Sequence, residues 1–419
     1  MSKYRLRLAE KILDSKLASS GAVLVVGPKW CGKTTLAKRR AKSFVNVDVP
    51  ENLQLAEFAM EDLLQGRTPL LLDEWQWAPQ LWDGVRRCVD DRGKMGQFIL
   101  TGSAVPNDSD AIKHTGTGRF SWLNLRTMSL FETGDSKGQI SLEELFSAPD
   151  KIYAKNPIDF ARMAYLLCRG GWPGSLGLDE NAALQIPYNY YDGLIRSDMS
   201  RVDGIKRNPD RVSRLLRSLA RNQGTQASVQ LICSDMQTND EKSLDNNTVF
   251  KYVEALKRLY VEDDLPAWNP NLRSKTAIRT SDTRYLADPS IAVAALGVGP
   301  SDLMTDLHSF GFLFETMCVR DLRVYAEVLN GNVYHYRDSS GLECDAVIHL
   351  RNGQYGLVEI KLGGEKAIDE GVKCLKKLAG NIDLQKMPPP SFLMVLIGVG
   401  KFAYRRDDGV YVVPVGCLR

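Results

Sequence analysis

The chain has 419 residues, more than one small core holds, so two or three domains are expected. With 44% hydrophobic and 25% charged residues it is not a disordered chain, and a net charge of only +3 confines any nucleic-acid role to a local basic face. Eight cysteines without C-x-x-C pairs exclude a zinc module and a disulfide framework, and no apolar run approaches the length of a membrane span; the expected setting is a reducing cytoplasm, with no membrane partner.

The opening MSKYRLRLAEKIL is an amphipathic helix pattern without a cleavable apolar region. Next comes AVLVV, a buried parallel strand in pattern, followed by GPKWCGKTT, which fits G-x-x-x-x-G-K-[ST] with Gly27, Gly32, Lys33 and Thr34 in the fixed places. Strand, glycine loop and helix make a phosphate cradle: backbone N–H groups turn inward, Lys33 adds a point charge, and the Thr34 hydroxyl suits Mg²⁺. A second apolar run, PLLLDEW, ends on two carboxylates. Asp73 is placed for the Mg²⁺ shell, and Glu74 to polarise a water attacking a γ-phosphate. The third run, QFILTGSA, closes on Thr101. If its strand lies between the first two, that hydroxyl stands beside the γ-phosphate; the plainer alternative is a turn cap. Arg119 follows a glycine-rich turn and is the candidate to reach a neighbouring subunit's nucleotide, with Arg126 as competitor and a surface arginine as the bland alternative for both.

In the order GPKWCGKTT, LLLDEW, LTGSA, GRFSWLNLRTMSLFE, CRGGWPGSL and IRSDMSRV, the chain resembles the AAA+ ATPases of the AAA_14 family, whose C-terminal part is called DUF4143. The resemblance covers essentially the whole chain and adds Pro28 and Thr35 to the nucleotide-binding positions. It implies an α/β protein with a P-loop AAA+ core over 1–150, a helical lid over 151–204, a winged-helix segment over 205–300, and an α/β restriction-endonuclease-like domain of the PD-(D/E)XK kind over 301–419. Trp30 and Cys31 fall at variable loop positions. In the lid, Gly170 and Gly171 permit a tight turn, Pro173 suits a first helical turn, and Arg169 is a candidate for touching phosphates in cis.

The middle segment reads as two short helices and a longer one capped by Asp245 or Asn246, whose stripe Val249, Tyr252, Val253, Leu256 and Leu259 turns inward. Lys251 on that helix, with Arg273, Lys275, Arg279 and Arg284 on a basic wing, are the candidates for DNA phosphates. Against that stand Glu262, Asp263 and Asp264, which would repel a phosphate backbone, and the use of winged helices as protein-docking modules.

Farther on, a helix carrying Glu315 precedes strands bearing Asp345 and the pair Glu359 and Lys361 in the spacing D-x(13)-E-x-K. Glu359 and Lys361 share a strand face, because side chains repeat every two residues. In a PD-(D/E)XK site, Asp345 and Glu359, with Glu315 completing the cluster, would hold a divalent metal while Lys361 positions water. The alternative is a domain that kept the fold and lost cleavage. Taken together, the expected cofactors are ATP and Mg²⁺. The expected assembly is a homo-oligomer, a hexameric ring, acting on forked or branched DNA as a helicase or branch-migration motor. The competing expectation is a nucleotide-switched regulatory ATPase.

Overall fold

In the computed structural model, residues 4–102, 115–237, 244–270 and 281–419 are described. The strands β1 (Ala22–Val26), β2 (Ser43–Asn46), β3 (Leu70–Asp73), β4 (Phe98–Thr101) and β5 (Phe120–Asn124) form a parallel sheet in the order β2-β3-β4-β1-β5. The three central strands are apolar on both faces and fully buried, as the unbroken runs AVLVV, LLLD and FILT require of a sheet covered on both sides. One side packs on α1 (Ala9–Ser19) and α2 (Lys33–Lys38) through Leu13, Leu36 and Ala37. The other packs on α3 (Leu81–Arg92) through Leu81, Trp82 and Val85.

Because β4 lies between the P-loop strand β1 and the acidic strand β3, in register Val25↔Thr101↔Asp73, the ends of all three strands meet at one edge. In an open parallel sheet that carboxyl edge is where ligands bind.

The second sheet has seven strands: β6 (Ala154–Lys155), β7 (Gly331–Arg337), β8 (Glu343–Leu350), β9 (Tyr355–Gly363), β10 (Phe392–Val399), β11 (Phe402–Arg405) and β12 (Tyr411–Pro414), ordered β6-β11-β12-β10-β9-β8-β7. Its faces are covered by α10 (Leu307–Val328) and α11 (Glu365–Gly380). Residues that the sequence pattern assigned to the first two segments are recruited into this unit. The Ile140 N–H donates to the Cys417 carbonyl at 2.9 Å, the Leu142 N–H to that of Arg419 at 2.7 Å, and β6 pairs with β11.

Between the sheets lie α4 (Phe160–Arg169), α5 (Glu180–Gly193), α6 (Pro209–Arg221), α7 (Val229–Met236), α8 (Asn246–Arg258) and α9 (Pro289–Leu296). In α6, Val212, Leu215, Leu216 and Leu219 repeat at helical spacing and are buried, and Asn208 caps the helix ahead of Pro209. On α8 the stripe Val249, Tyr252, Val253 and Leu256 is buried behind the Asp245 cap. After α8 the chain doubles back through the antiparallel bridges Glu262↔Leu286 and Leu265↔Thr283, at the base of the expected wing. The expected wing residues Arg273, Lys275 and Arg279 lie outside the described residues.

A single apolar cluster runs from Leu130 through α4–α10 to Leu418, so lid, middle segment and second sheet share one core. A buried ionic junction braces it, in which Arg320 pairs with Asp288 at 2.9 Å and with Asp321 at 2.7 Å. Asp288 also accepts from the Thr127 hydroxyl at 2.6 Å and the Gly171 N–H at 2.9 Å. Burial pushes the Asp288 carboxyl up, but Arg320, Ser290, Thr127 and Gly171 outweigh it and hold it below the usual range. Gly171 is required by close approach, since a Cβ there would lie 2.1 Å from the Met128 carbonyl oxygen. Among the described residues no helix is long and apolar enough to cross a membrane.

Candidate nucleotide site and the C-terminal carboxylate cluster

At the carboxyl edge of the first sheet, the loop from Gly27 to Gly32 takes left-handed backbone at both glycines, φ 143° and 102°. At Gly27 a Cβ would lie 2.1 Å from the Leu125 carbonyl oxygen, so only glycine lets the loop sit this close to the chain after β5. Buried Arg7 props the loop from behind, donating to the Cys31 carbonyl at 2.8 Å, to the Arg126 carbonyl at 2.8 Å, and pairing with Glu132 at 3.0 Å.

Within the loop the Lys33 ammonium donates to the carbonyls of Gly27 and Pro28 at 2.9 and 2.8 Å. Among the described residues its charge therefore meets carbonyl dipoles and no carboxylate, which leaves it available to an anion. Asp73 is the hub of the site. Its Oδ1 accepts from the Thr34 hydroxyl at 2.8 Å and also from the Thr101 hydroxyl, and Asp73 and Thr101 are both buried. A carboxylate and a hydroxyl side by side are hard oxygen donors of the kind Mg²⁺ takes, so Thr34 and Asp73 fit that ion.

Glu74 stands in left-handed backbone, φ 56° and ψ 42°, unusual for a residue with a side chain, and the Gln76 amide donates to its carboxylate. These groups line a cavity of about 1080 Å³ with Trp30, Thr35, Trp77 and, from the lid, Trp172, Pro173 and Arg201. Thr35 faces this space, whereas Pro28 is buried in the loop wall and contributes a carbonyl to Lys33.

The far wall was not foreseen from sequence. A five-residue π-helical turn, Leu194–Asp198, carries Asp198 to Lys29 of the loop at 2.6 Å and is followed by Ser200 and Arg201, both on the cavity. The motif IRSDMSRV marked the region, but no propensity rule signals an i→i+5 turn, which is itself common at functional sites.

Arg169, expected near phosphate, is turned away: it is buried against Asp135 at 2.8 Å and does not line the cavity, so Arg201 is the lid arginine that does. Arg119 is half-exposed on the rim of the sheet, pairing with Asp90 at 2.8 Å. Its competitor Arg126 is spent internally. Partly buried, it pairs with Asp263 at 2.8 Å and with Glu327, which ties the first sheet to the wing base and to α10.

The basic wing reading needs correction at Arg284. Its guanidinium is bound by Glu262 and Asp264, both at 2.7 Å, and it also donates to the Ala227 carbonyl, so it braces the wing base and does not face outward. The same contacts remove the objection from the acidic run, whose three carboxylates are consumed by Lys257, Arg284, Arg126 and Arg323. Lys251 is exposed on α8.

In the second sheet, Asp345 on β8 and Glu359 on β9 come together through Lys361, which pairs with them at 3.4 and 2.7 Å. Asp345 also accepts the Ile360 N–H at 2.7 Å. Glu315 reaches the same neighbourhood from α10 but is engaged by the Tyr285 hydroxyl. Burial, then the Asp345 charge, push Glu315 up to about 8 and Glu359 up to about 7, while both carboxylates hold the Lys361 ammonium above its usual range against its burial.

Among the described residues no group of three His, Cys, Asp or Glu side chains converges to hold a metal ion. The donors proposed for a divalent cation, Glu315, Asp345 and Glu359, are thus bound by a lysine, a backbone N–H and a tyrosine, and do not fit a metal as arranged.

Three family matches run along the chain. Residues 19–134 match the family described as "AAA domain", AAA_14; residues 161–302 match a domain of unknown function, DUF8612; residues 310–418 match another, DUF4143. Two uncharacterized proteins, from Mycobacterium tuberculosis and Mycobacterium bovis, are each 23% identical over 410 residues, covering 96% of this chain and 82% of the relative. A solved Walker-type ATPase of Pyrococcus abyssi is 15% identical with a TM-score of 0.44, covering 70% of this chain and 96% of its own. With the P-loop, the acidic strand and the intervening Thr101 strand in place, the amino-terminal unit is an AAA-type ATPase domain matched by the AAA_14 model, and the carboxyl-terminal unit is matched by the DUF4143 model.

Proposed function

We propose that the protein is an oligomeric ATPase that couples Mg²⁺-dependent ATP hydrolysis to the remodelling of forked or branched DNA. The observation that carries the hydrolytic part is the convergence of the Thr34 and Thr101 hydroxyls on buried Asp73, one residue before Glu74, which lines the cavity together with Lys33 and Thr34. Lys33 releases its two carbonyl partners to bind phosphate oxygens. Thr34 and Asp73 would hold Mg²⁺, which when bound offsets charge on the phosphates. Thr101 orients the Asp73 carboxylate, and Glu74 takes the proton of the attacking water as general base. Arg201 meets the nucleotide from the lid, and Arg119 leaves Asp90 to serve a neighbouring copy.

The DNA part rests on the three-helix arrangement of α6–α8 and on exposed Lys251; the ring is supported by Arg119's place on the rim and by the family. Measuring hydrolysis with and without single-stranded, duplex and branched DNA tests this reading. Stimulation by forks supports it, and turnover indifferent to every DNA would leave the nucleotide-switched regulatory ATPase.

For the DUF4143 part we propose a platform without cleavage, because Lys361 lies against both carboxylates that a nuclease would need for metal. Cleavage of DNA with Mg²⁺ or Mn²⁺, lost in Asp345→Ala, would overturn that.

A further inference from the structure

The outer face of the β6–β11 edge carries side chains that neither the nucleotide site nor the core uses. Register pairs Phe402 with Lys155 and Ala403 with Ala154; both alanines are buried, so the alternate residues Phe402, Tyr404, Tyr153 and Lys155 face outward. Tyr153 is 74% exposed, Phe402 and Tyr404 41% each, and the Tyr153 and Phe402 rings stack at 5.6 Å between centroids and 22°. Lys151, Lys155 and Lys401 are exposed around them, without an ion-pair partner among the described residues. The nearby acids are largely answered: Asp150 pairs with Arg405, Asp369 with Arg406, and Asp408 with Lys376 and Arg406, leaving Asp407.

Apolar rings alone would not select an occupant, but rings set among unpaired lysines favour an anionic, flat-faced one. An added peptide strand is disfavoured, because β6 offers two residues of ladder and is followed by Pro157. Same-face residues along a strand stand about 6.7 Å apart. That is about twice the rise per nucleotide of a stacked strand, a spacing suited to stretched DNA.

We propose that this face is a stacking platform for single-stranded DNA, with Tyr153, Phe402 and Tyr404 receiving bases and Lys151, Lys155 and Lys401 receiving phosphates. The inference rests on the reading of DNA as substrate and assigns it a surface remote in sequence from α6–α8.

The test is fluorescence anisotropy of a labelled thymidine oligonucleotide with the full chain. Each ring removed weakens binding about tenfold, so a Tyr153→Ala, Phe402→Ala, Tyr404→Ala triple variant loses about a thousandfold. Tyr153→Phe and Tyr404→Phe keep the affinity, Lys155→Glu weakens it and lowers its salt dependence, and turnover without DNA is unchanged throughout. Undiminished affinity in the triple variant overturns the platform. So does wild-type protein that binds forks or duplex but not the oligonucleotide, which leaves the DNA reading standing; wild type that binds no DNA at all ends both.

Discussion

The nucleotide cavity and the C-terminal cluster are built from the same three residue types, Asp, Glu and Lys, and differ in what those charges face. At the first, Lys33 rests on two carbonyls and Asp73 on two hydroxyls, so among the described residues neither is paired with an opposite charge. At the second, Lys361 lies across both Asp345 and Glu359. The number of ionisable groups therefore says little about function; their partners decide whether they are left for a ligand.

If that contrast is right, changes at the first site should alter chemistry and changes at the second should alter stability. The largest effect is expected for Lys33→Ala, which removes the phosphate-binding charge: turnover falls at least a hundredfold and nucleotide titration shows lost affinity, while the melting temperature hardly moves. Thr101→Val removes one of the two hydroxyls on Asp73; about tenfold slower turnover with affinity within threefold is expected, from single-turnover kinetics.

Lys361→Met leaves two carboxylates without their cation. Breaking such pairs costs about 3–5 kcal/mol when fully buried, and since Lys361 is partly exposed the loss is about 1–3 kcal/mol, read as a lower melting temperature with turnover intact. Restored stability in Lys361→Met combined with Glu359→Gln would sharpen the point, and faster or slower turnover in the single variant would break it.

The smallest expected effect is on pH dependence. Glu315 and Glu359 sit near 8 and 7 in the folded protein against an ordinary 4.5, so the folded state holds protons that the unfolded chain has released. Their contribution to stability therefore declines as pH rises from about 4.5 to about 8. Thermal melts at pH 6 and pH 9 should show the lower temperature at pH 9, with a shallower slope in Glu359→Gln.

Much of the nucleotide site was legible because its chemistry is local. Gly27, Gly32, Lys33 and Thr34 fall within one short loop and helix start, and Asp73, Glu74 and Thr101 close apolar runs whose burial dictates parallel strands. The pairing of Asp345 with Glu359 and Lys361 was legible for the same reason, since adjacent strands bring them together.

What sequence did not disclose were partnerships across long separations. Arg169 is held by Asp135, Arg284 by Glu262 and Asp264, and Arg126 by Asp263 and Glu327, so three arginines taken as candidates for phosphate are internal braces. An arginine's spacing reveals its charge and not the carboxylate that will claim it. Nor could pattern place residues 136–155 beside the C-terminal strands, because β6 is two residues long and carries no periodicity of its own. Asp198 and Arg201 escaped notice because a π-helical turn aims them.

The central claim is that Glu74 is the base of a nucleotide-hydrolysing centre organised by Asp73. It is tested most directly by measuring ATP affinity and steady-state turnover on the same preparation of Glu74→Gln beside wild type. Turnover reduced by about 10²- to 10⁴-fold with affinity retained is the predicted result. Wild-type protein that neither binds nor hydrolyses ATP, or a Glu74→Gln variant that hydrolyses it at the wild-type rate, would contradict it.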